Sequence, residues 1–408
     1  MTDESRLILI TRPRLFGKAT ALSMLRYFLE NRISPAAALK VGFRDLFRGL
    51  SISEDTVFLQ ETGGGRPKRR RSREVAGTNA YGRLFHNKPR KLEHFKGYAI
   101  HRLHEYLLDG DLLTDQEKRT FEAIRDKTAP LADTTAGLRK LCTYLHRKNN
   151  KPVILLIDSF EKPTQTAFFN QYADQMQSLL HDLLLPALKD NPYLYKAVIT
   201  GISVIGQEAL LAELPDMRVY SILDDQRYTE FFGFLESDVR ALVAETGLTA
   251  KRELLDTWYR GYDFCGTLLY NPFSVLSFLS QGGKPGFYWV QNPLTETVVQ
   301  IVFTLSTAAR KDFDKLMYNH SLEKVIHEDL SYEKFVTQEE PFWSLLVHYG
   351  YLVAKPKGLP ELNYTVRMPN KEVREQLLDL CRKKFEGTFG AKDPKKSNKG
   401  YKPNTRVK

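Results

Sequence analysis

The sequence predicts an α/β layer fold built on a parallel sheet. Three aliphatic runs of strand length carry that expectation: "RLILITR" (6–12), "VILLI" (153–157) and "LYKAVITG" (194–201). The middle run is continuously apolar, the pattern of a strand buried on both faces. Helical stretches alternate with these runs, and such alternation builds α/β layers.

Taken in order, residues 6–12 read as a buried strand. Residues 18–31 read as a helix with Leu22, Leu25, Phe28 and Leu29 on one face. Residues 62–98 are rich in Gly, Arg and Lys, lack periodicity, and read as an insertion or mobile loop. Helical patterns follow at 99–108, 115–126 and 134–147. The strand at 153–157 ends on Asp158, a helix is expected over 168–188, and the strand at 194–201 ends in Thr200-Gly201. From 226 to 282 the pattern turns helical and aromatic. From 296 to 384 helices mix with a hairpin-like "GYLVAKPKGLPELNYTVRMP". The sequence shows no internal repeat.

A length of 408 residues allows two or three domains. The net charge is +11, but it is unevenly placed. "RPKRRRSR" (66–73) carries six basic residues and no acid, and 392–408 carries +6. The rest of the chain stands at −1. The basicity therefore sits in two segments expected to be disordered, which argues against one broad nucleic-acid-binding face. It leaves 66–73 and 392–408 as non-specific nucleic-acid contacts, or 66–73 as a nuclear-import patch. Cys142, Cys265 and Cys381 are too widely separated for zinc or redox spacing and read as reduced core thiols. The nine histidines form no metal motif, and His101 and His104 read as surface residues. No apolar window reaches membrane-spanning length, and the N-terminus has no signal pattern. A cytoplasmic or nuclear protein without membrane association is expected.

The chemistry starts at "LILITRPRLFGKATALSML" (7–25), where a strand, a short loop, Gly17-Lys18 and a helix follow one another. That is the context of a phosphate-binding loop. Backbone N–H groups and a helix N-terminus point at phosphates, and a lysine neutralises their charge. The Ser or Thr that would hold Mg²⁺ is missing: position 19 is Ala19. Thr20 is adjacent but lies about 100° further round the helix. Asp158, at the end of the strongest strand, is the candidate Mg²⁺ ligand. Ser159 stands where a catalytic glutamate is common, so Glu161 is the best remaining base. Thr200, at a third strand end, is a candidate phosphate sensor.

These pieces form an ordered set with "YTEFFGFLESDV", "WYRGYDF", "YNPFSVLSFL", "FYWV", "FWSLLVHYGYLV" and "RMPNKEVREQLLDL". The set resembles the AAA-ATPase-like family, whose ATPase module often precedes a PD-(D/E)XK nuclease domain. The resemblance runs from about residue 5 to 385, apart from 62–98. It implies a P-loop NTPase (AAA-like) core with a parallel sheet, a helical lid and a small C-terminal α/β domain. The expected parts are a core over 1–225, a lid over 226–295, a small domain over 296–385 and a basic tail over 386–408. It also implies ATP and Mg²⁺ as ligands. Arg12, Pro13, Arg14, Phe16, Gly17, Lys18 and Thr20 would hold the nucleotide, Asp158 the metal, and Glu161 and Thr200 the chemistry.

The departures from the family pattern fall on the chemistry. Leu15 replaces an arginine and Ala19 a serine. Ile157-Asp158-Ser159-Phe160-Glu161 stands for I-D-E-Y-D, and Val204 for a basic residue. A family strand is absent where the basic insertion sits. The scaffold motifs "WYRGYDF" and "YNPFS" persist. The expectation is an ATP-binding protein with degenerate motifs that is at most a weak ATPase. The alternatives are an active ATPase completed by a partner protein, or a non-nucleotide interaction scaffold using the basic segments.

Overall fold

The computed structural model describes residues 4–29, 75–77, 112–126, 128–224, 227–289, 293–328, 334, 340–358 and 363–389. Contacts divide the chain into two units. The first is Met1–Thr11 with Lys18–Val219, and the second is Arg12–Gly17 with Tyr220–Lys408. This division is coarser than the parts expected from the sequence.

The first unit is a parallel sheet with helices. Its elements are β1 (Leu7–Thr11), α1 (Lys18–Leu29), β2 (Val75–Gly77), α2 (Asp115–Arg125), α3 (Leu131–Asn149), β3 (Val153–Ile157), α4 (Lys162–Phe169), α5 (Ala173–Leu188), β4 (Leu194–Gly201), α6 (Glu208–Ala212) and β5 (Met217–Tyr220). The sheet order is β2-β3-β4-β1-β5. β1 pairs with β4, β3 with β4 and β2 with β3, all in parallel. Every residue of β1 and β3 is buried, as their unbroken aliphatic runs require. One core cluster packs Leu7 and Leu9 of β1, Val153, Leu155 and Ile157 of β3, and Ala197 and Ile199 of β4 with α3 and α5. The two-faced burial is what fixes β1, β3 and β4 so firmly.

Two local features differ from the sequence reading. The segment 62–98, read as an insertion or loop, contains a sheet strand: Val75 pairs with Ile154 and Gly77 with Leu156. The other residues of that segment lie outside the described residues, as do 99–108 with His101 and His104. The helix expected over 168–188 is two helices, α4 and α5. The chain turns at Gln171, whose φ of 61° is left-handed and incompatible with continuing a helix.

The second unit contains α7 (Glu236–Glu245), α8 (Arg252–Tyr259), β6 (Arg260–Phe264), β7 (Thr267–Tyr270), α9 (Pro272–Ser280), α10 (Pro293–Thr304), α11 (Thr307–Met317), β8 (Leu322–Val325), α12 (Glu340–His348), β9 (Val353–Pro356), β10 (Asn363–Arg367) and α13 (Lys371–Phe389). β8, β10 and β9 form a three-stranded antiparallel sheet, so the hairpin-like segment is a hairpin edge of that sheet. The stretch 226–282 is not wholly helical, because β6 and β7 pair antiparallel inside it. Cys265 and Gly266 connect them at φ 49° and 87°. Two successive left-handed residues match the right-handed twist of a tight hairpin. A second core cluster joins Val239, Leu255, Tyr259, Tyr270, Val275 and Phe278 around α7, α8, β7 and α9.

Cys142 and Cys381 are buried and unpaired by disulfides, and Cys265 is partly exposed. Burial pushes the Cys142 thiol up to about 11 and the Cys381 thiol up to about 12. Both are inert core residues at neutral pH. Among the described residues no helix is long and apolar enough to cross a membrane.

Candidate functional site

Parallel pairing sets the carboxyl ends of β1, β3 and β4 along one edge of the sheet. Thr11 of β1 is level with Gly201 of β4, and Ile157 of β3 with Ile199. Ligands of open α/β sheets bind beyond this edge. The strand order places β4 between β1 and β3.

Asp158 directly follows β3 and is half-buried. Thr200 is 1% exposed, and its Oγ1 donates to Asp158 Oδ1 at 2.7 Å. The two expected site residues, 42 positions apart in the chain, are therefore one hydrogen-bonded pair. The hydroxyl orients the carboxylate and leaves its other oxygen for a cation or water. Ser159, in a left-handed conformation at φ 59°, turns the chain sharply after Asp158.

Glu161 caps α4 and is 2% exposed. Its Oε2 accepts the Ile202 N–H at 3.0 Å. Burial raises its pKa above the ordinary carboxylate range, and the positive charge of Lys18 opposes that rise. A Cβ built on Gly201 would stand 2.8 Å from the same Oε2, so glycine is what admits the carboxylate there. Next along, Gln207 Nε2 donates to Thr164 Oγ1 at 2.5 Å, and both side chains are buried. The end of β4 and the segment after it are thus fastened to the segment after β3 at three points. Lys18 opens α1 and is half-buried, whereas Ala19 and Thr20 are exposed.

Residues 12–17 group with the second unit. Arg12 is fully buried. Its Nη1 donates to the Tyr220 carbonyl at 3.2 Å, and its guanidinium lies 5.3 Å from the Phe232 ring centre. Pro13 is buried beside Gly350, where an added Cβ would come within 2.8 Å of Pro13 Cβ. The Arg14 carbonyl accepts Asn271 Nδ2 at 3.1 Å. Phe16 has no exposed surface and meets Tyr262 edge-on at 4.8 Å and Phe264 at 5.2 Å. Leu15 (φ 66°) and Gly17 (φ 81°) are both left-handed, on either side of Phe16. Nothing lies within 4 Å of a Cβ added to Gly17, so its glycine answers to backbone conformation and leaves open space.

The sequence reading named the loop, Lys18, Asp158 and Thr200. It missed the loop's seat: Tyr220, Phe232, Tyr262, Phe264, Asn271 and Gly350. Two of the persisting motifs, "WYRGYDF" and "YNPFS", supply Tyr262, Phe264 and Asn271, and their retention was the available signal. Among the described residues no three His, Cys, Asp or Glu side chains are grouped to hold a metal.

Residues 85–211 match the model of the AAA-ATPase-like family, described as a predicted AAA-ATPase. This segment carries β3, β4, Asp158, Glu161 and Thr200, and the match agrees with the family that the motifs resemble. The match supports an ATPase-like, nucleotide-using function. The chain is also similar to a protein of Azotobacter chroococcum described as an uncharacterised protein in the vnfD 5′ region. The two are 24% identical over 377 residues, covering 90% of this chain and 61% of the relative. The chain thus spans about three-fifths of that relative's length. No solved structure matches the chain.

Proposed function

We propose that this protein binds ATP with Mg²⁺ and hydrolyses it weakly or not at all. The observation that carries the reading is the Thr200–Asp158 hydrogen bond at the ends of adjacent parallel strands. Asp158 supplies the carboxylate for Mg²⁺, and Thr200 holds it in orientation. Lys18, at the N-terminus of α1, offers a cation to the phosphates, and the backbone of residues 12–17 leads into that helix. The bound metal would neutralise phosphate charge. Hydrolysis is weak because Ser159 offers no carboxylate, and Glu161 is buried with Oε2 committed to the Ile202 N–H. Glu161 therefore acts as a strut between two strand ends rather than as the base that orients a water.

A thermal-shift titration with Mg-ATP on wild type and Lys18→Ala tests this reading. Ligand at 100 times Kd stabilises the folded state by roughly 2.7 kcal/mol. The expected result is a rise in melting temperature with wild type that is lost in Lys18→Ala. Equal responses in the two proteins refute the proposal.

A further inference from the structure

We propose that Asn271 is a positioning residue for the phosphate-binding loop, acting through the Arg14 carbonyl and touching no nucleotide. The inference rests on the nucleotide reading above. Asn271 is 1% exposed and serves two structures at once. Its Oδ1 caps α9, accepting the Phe273 N–H at 3.0 Å and the Ser274 N–H at 3.2 Å. Those two donors fix which end of the amide is oxygen. The Nδ2 end must then face the loop, where it donates to Arg14 O at 3.1 Å.

The loop needs such a hold. Leu15 adopts φ 66° without being glycine, a disfavoured conformation that persists only where its surroundings impose it. The carbonyl held by Asn271 belongs to the residue just before Leu15. Phe16, just after it, is locked between Tyr262 and Phe264. Gly233 closes over Phe16, with a built Cβ 3.3 Å from Phe16 Cδ1. Leu15 is thus pinned on both sides by the second unit, and Gly17 follows in its own left-handed turn. The backbone N–H directions that a phosphate would meet are set by this seat. The side chains at 12 and 16 face inward and are unavailable as ligands.

Asn271→Asp separates the two duties of the residue. Aspartate keeps the cap oxygen and suits a helix N-terminus. It loses the donor and sets a carboxylate oxygen against the Arg14 carbonyl. Asn271→Ser also keeps a cap acceptor but cannot supply the donor, and it serves as the second variant.

The experiment measures Mg-ATP affinity together with the rate of tryptic cleavage after Arg14, read from fragment masses. The expected result is a cooperative melting transition without nucleotide, at a midpoint lowered in both variants by the lost buried hydrogen bond and, in Asn271→Asp, by the buried charge. Mg-ATP should bind about tenfold more weakly, and cleavage after Arg14 should be about tenfold faster. Unchanged cleavage in either folded variant, or unchanged Mg-ATP affinity alongside faster cleavage, overturns the assignment. If wild type and Lys18→Ala show that ATP does not bind, the nucleotide reading falls. The cleavage rate then decides alone whether Asn271 holds the loop.

Discussion

Glu372→Gln should remove a pH dependence from the second unit's stability. Glu372 lies in the first turn of α13 and is 1% exposed. Its carboxylate accepts from Ser274 Oγ at 2.7 Å, Tyr288 N at 2.6 Å and Trp289 N at 2.7 Å. Three donors favour the charged form, but burial outweighs them and pushes the pKa from 4.5 up to about 7. Between those values the folded protein holds a proton that the unfolded chain has released. Stability contributed by this group is therefore present below about pH 4.5, falls as pH rises, and is flat above about pH 7. The span is about 2.5 pH units at about 1.4 kcal/mol each, about 3.5 kcal/mol at most. Glutamine keeps Oε1 for both backbone donors, and the Ser274 hydroxyl can turn to accept from its amide. The variant carries no charge to desolvate. It should exceed wild type by about 2 kcal/mol at pH 8, once weaker neutral hydrogen bonds are allowed for, and lose that advantage at pH 5. Trp258, Trp289 and Trp343 all lie in the second unit, so urea unfolding followed by tryptophan fluorescence reports on it. Parallel profiles for the two proteins from pH 5 to 8 would show the carboxylate ionised throughout, and the argument from burial would be wrong.

Two further outcomes follow from packing. Gly201→Ala places a methyl 2.8 Å from Glu161 Oε2 and should cost about 1–3 kcal/mol by urea unfolding followed by circular dichroism. Combined with Glu161→Ala, it should cost less than the sum of the two single changes, because the clash disappears. Tyr270→Phe removes a hydroxyl shared by Glu236 (2.9 Å), Asp256 (2.7 Å) and Arg252 (3.1 Å), and should cost about 1–2 kcal/mol. Tryptophan fluorescence in urea would read that loss, and an unchanged midpoint would show the three charged groups satisfied without Tyr270.

The sheet was legible because burial on both faces writes itself into sequence. β1, β3 and β4 are aliphatic runs whose residues cannot face water, and their bounds follow from the runs. β2 was not legible. Three residues after "RPKRRRSRE" carry no alternation and too little apolar length, and only pairing with β3 makes Val75–Gly77 a strand. The β6–β7 hairpin was hidden by aromatic residues that suit a helix as well as a strand. Its signal was the Cys265-Gly266 pair, which permits two left-handed residues in succession. Among site residues, Asp158 and Thr200 were visible singly as polar ends of apolar strands. Their hydrogen bond was not, since strand order decides which ends are neighbours.

The loop itself shows why motif matching and structure diverge. A phosphate loop with glycine at its start takes its shape from its own sequence. Here position 12 is a buried arginine stacked on Phe232, and position 16 is a phenylalanine enclosed by aromatic rings. A loop with these residues cannot be judged by how many glycines or hydroxyls it lacks, because its conformation is imposed from outside. Arg12 and Phe16 were expected to touch phosphate, and both instead anchor backbone. The side chains that set the loop's backbone therefore come from "WYRGYDF" and "YNPFS": Tyr262, 246 positions from Phe16, packs on its ring with Phe264, and Asn271 holds the Arg14 carbonyl.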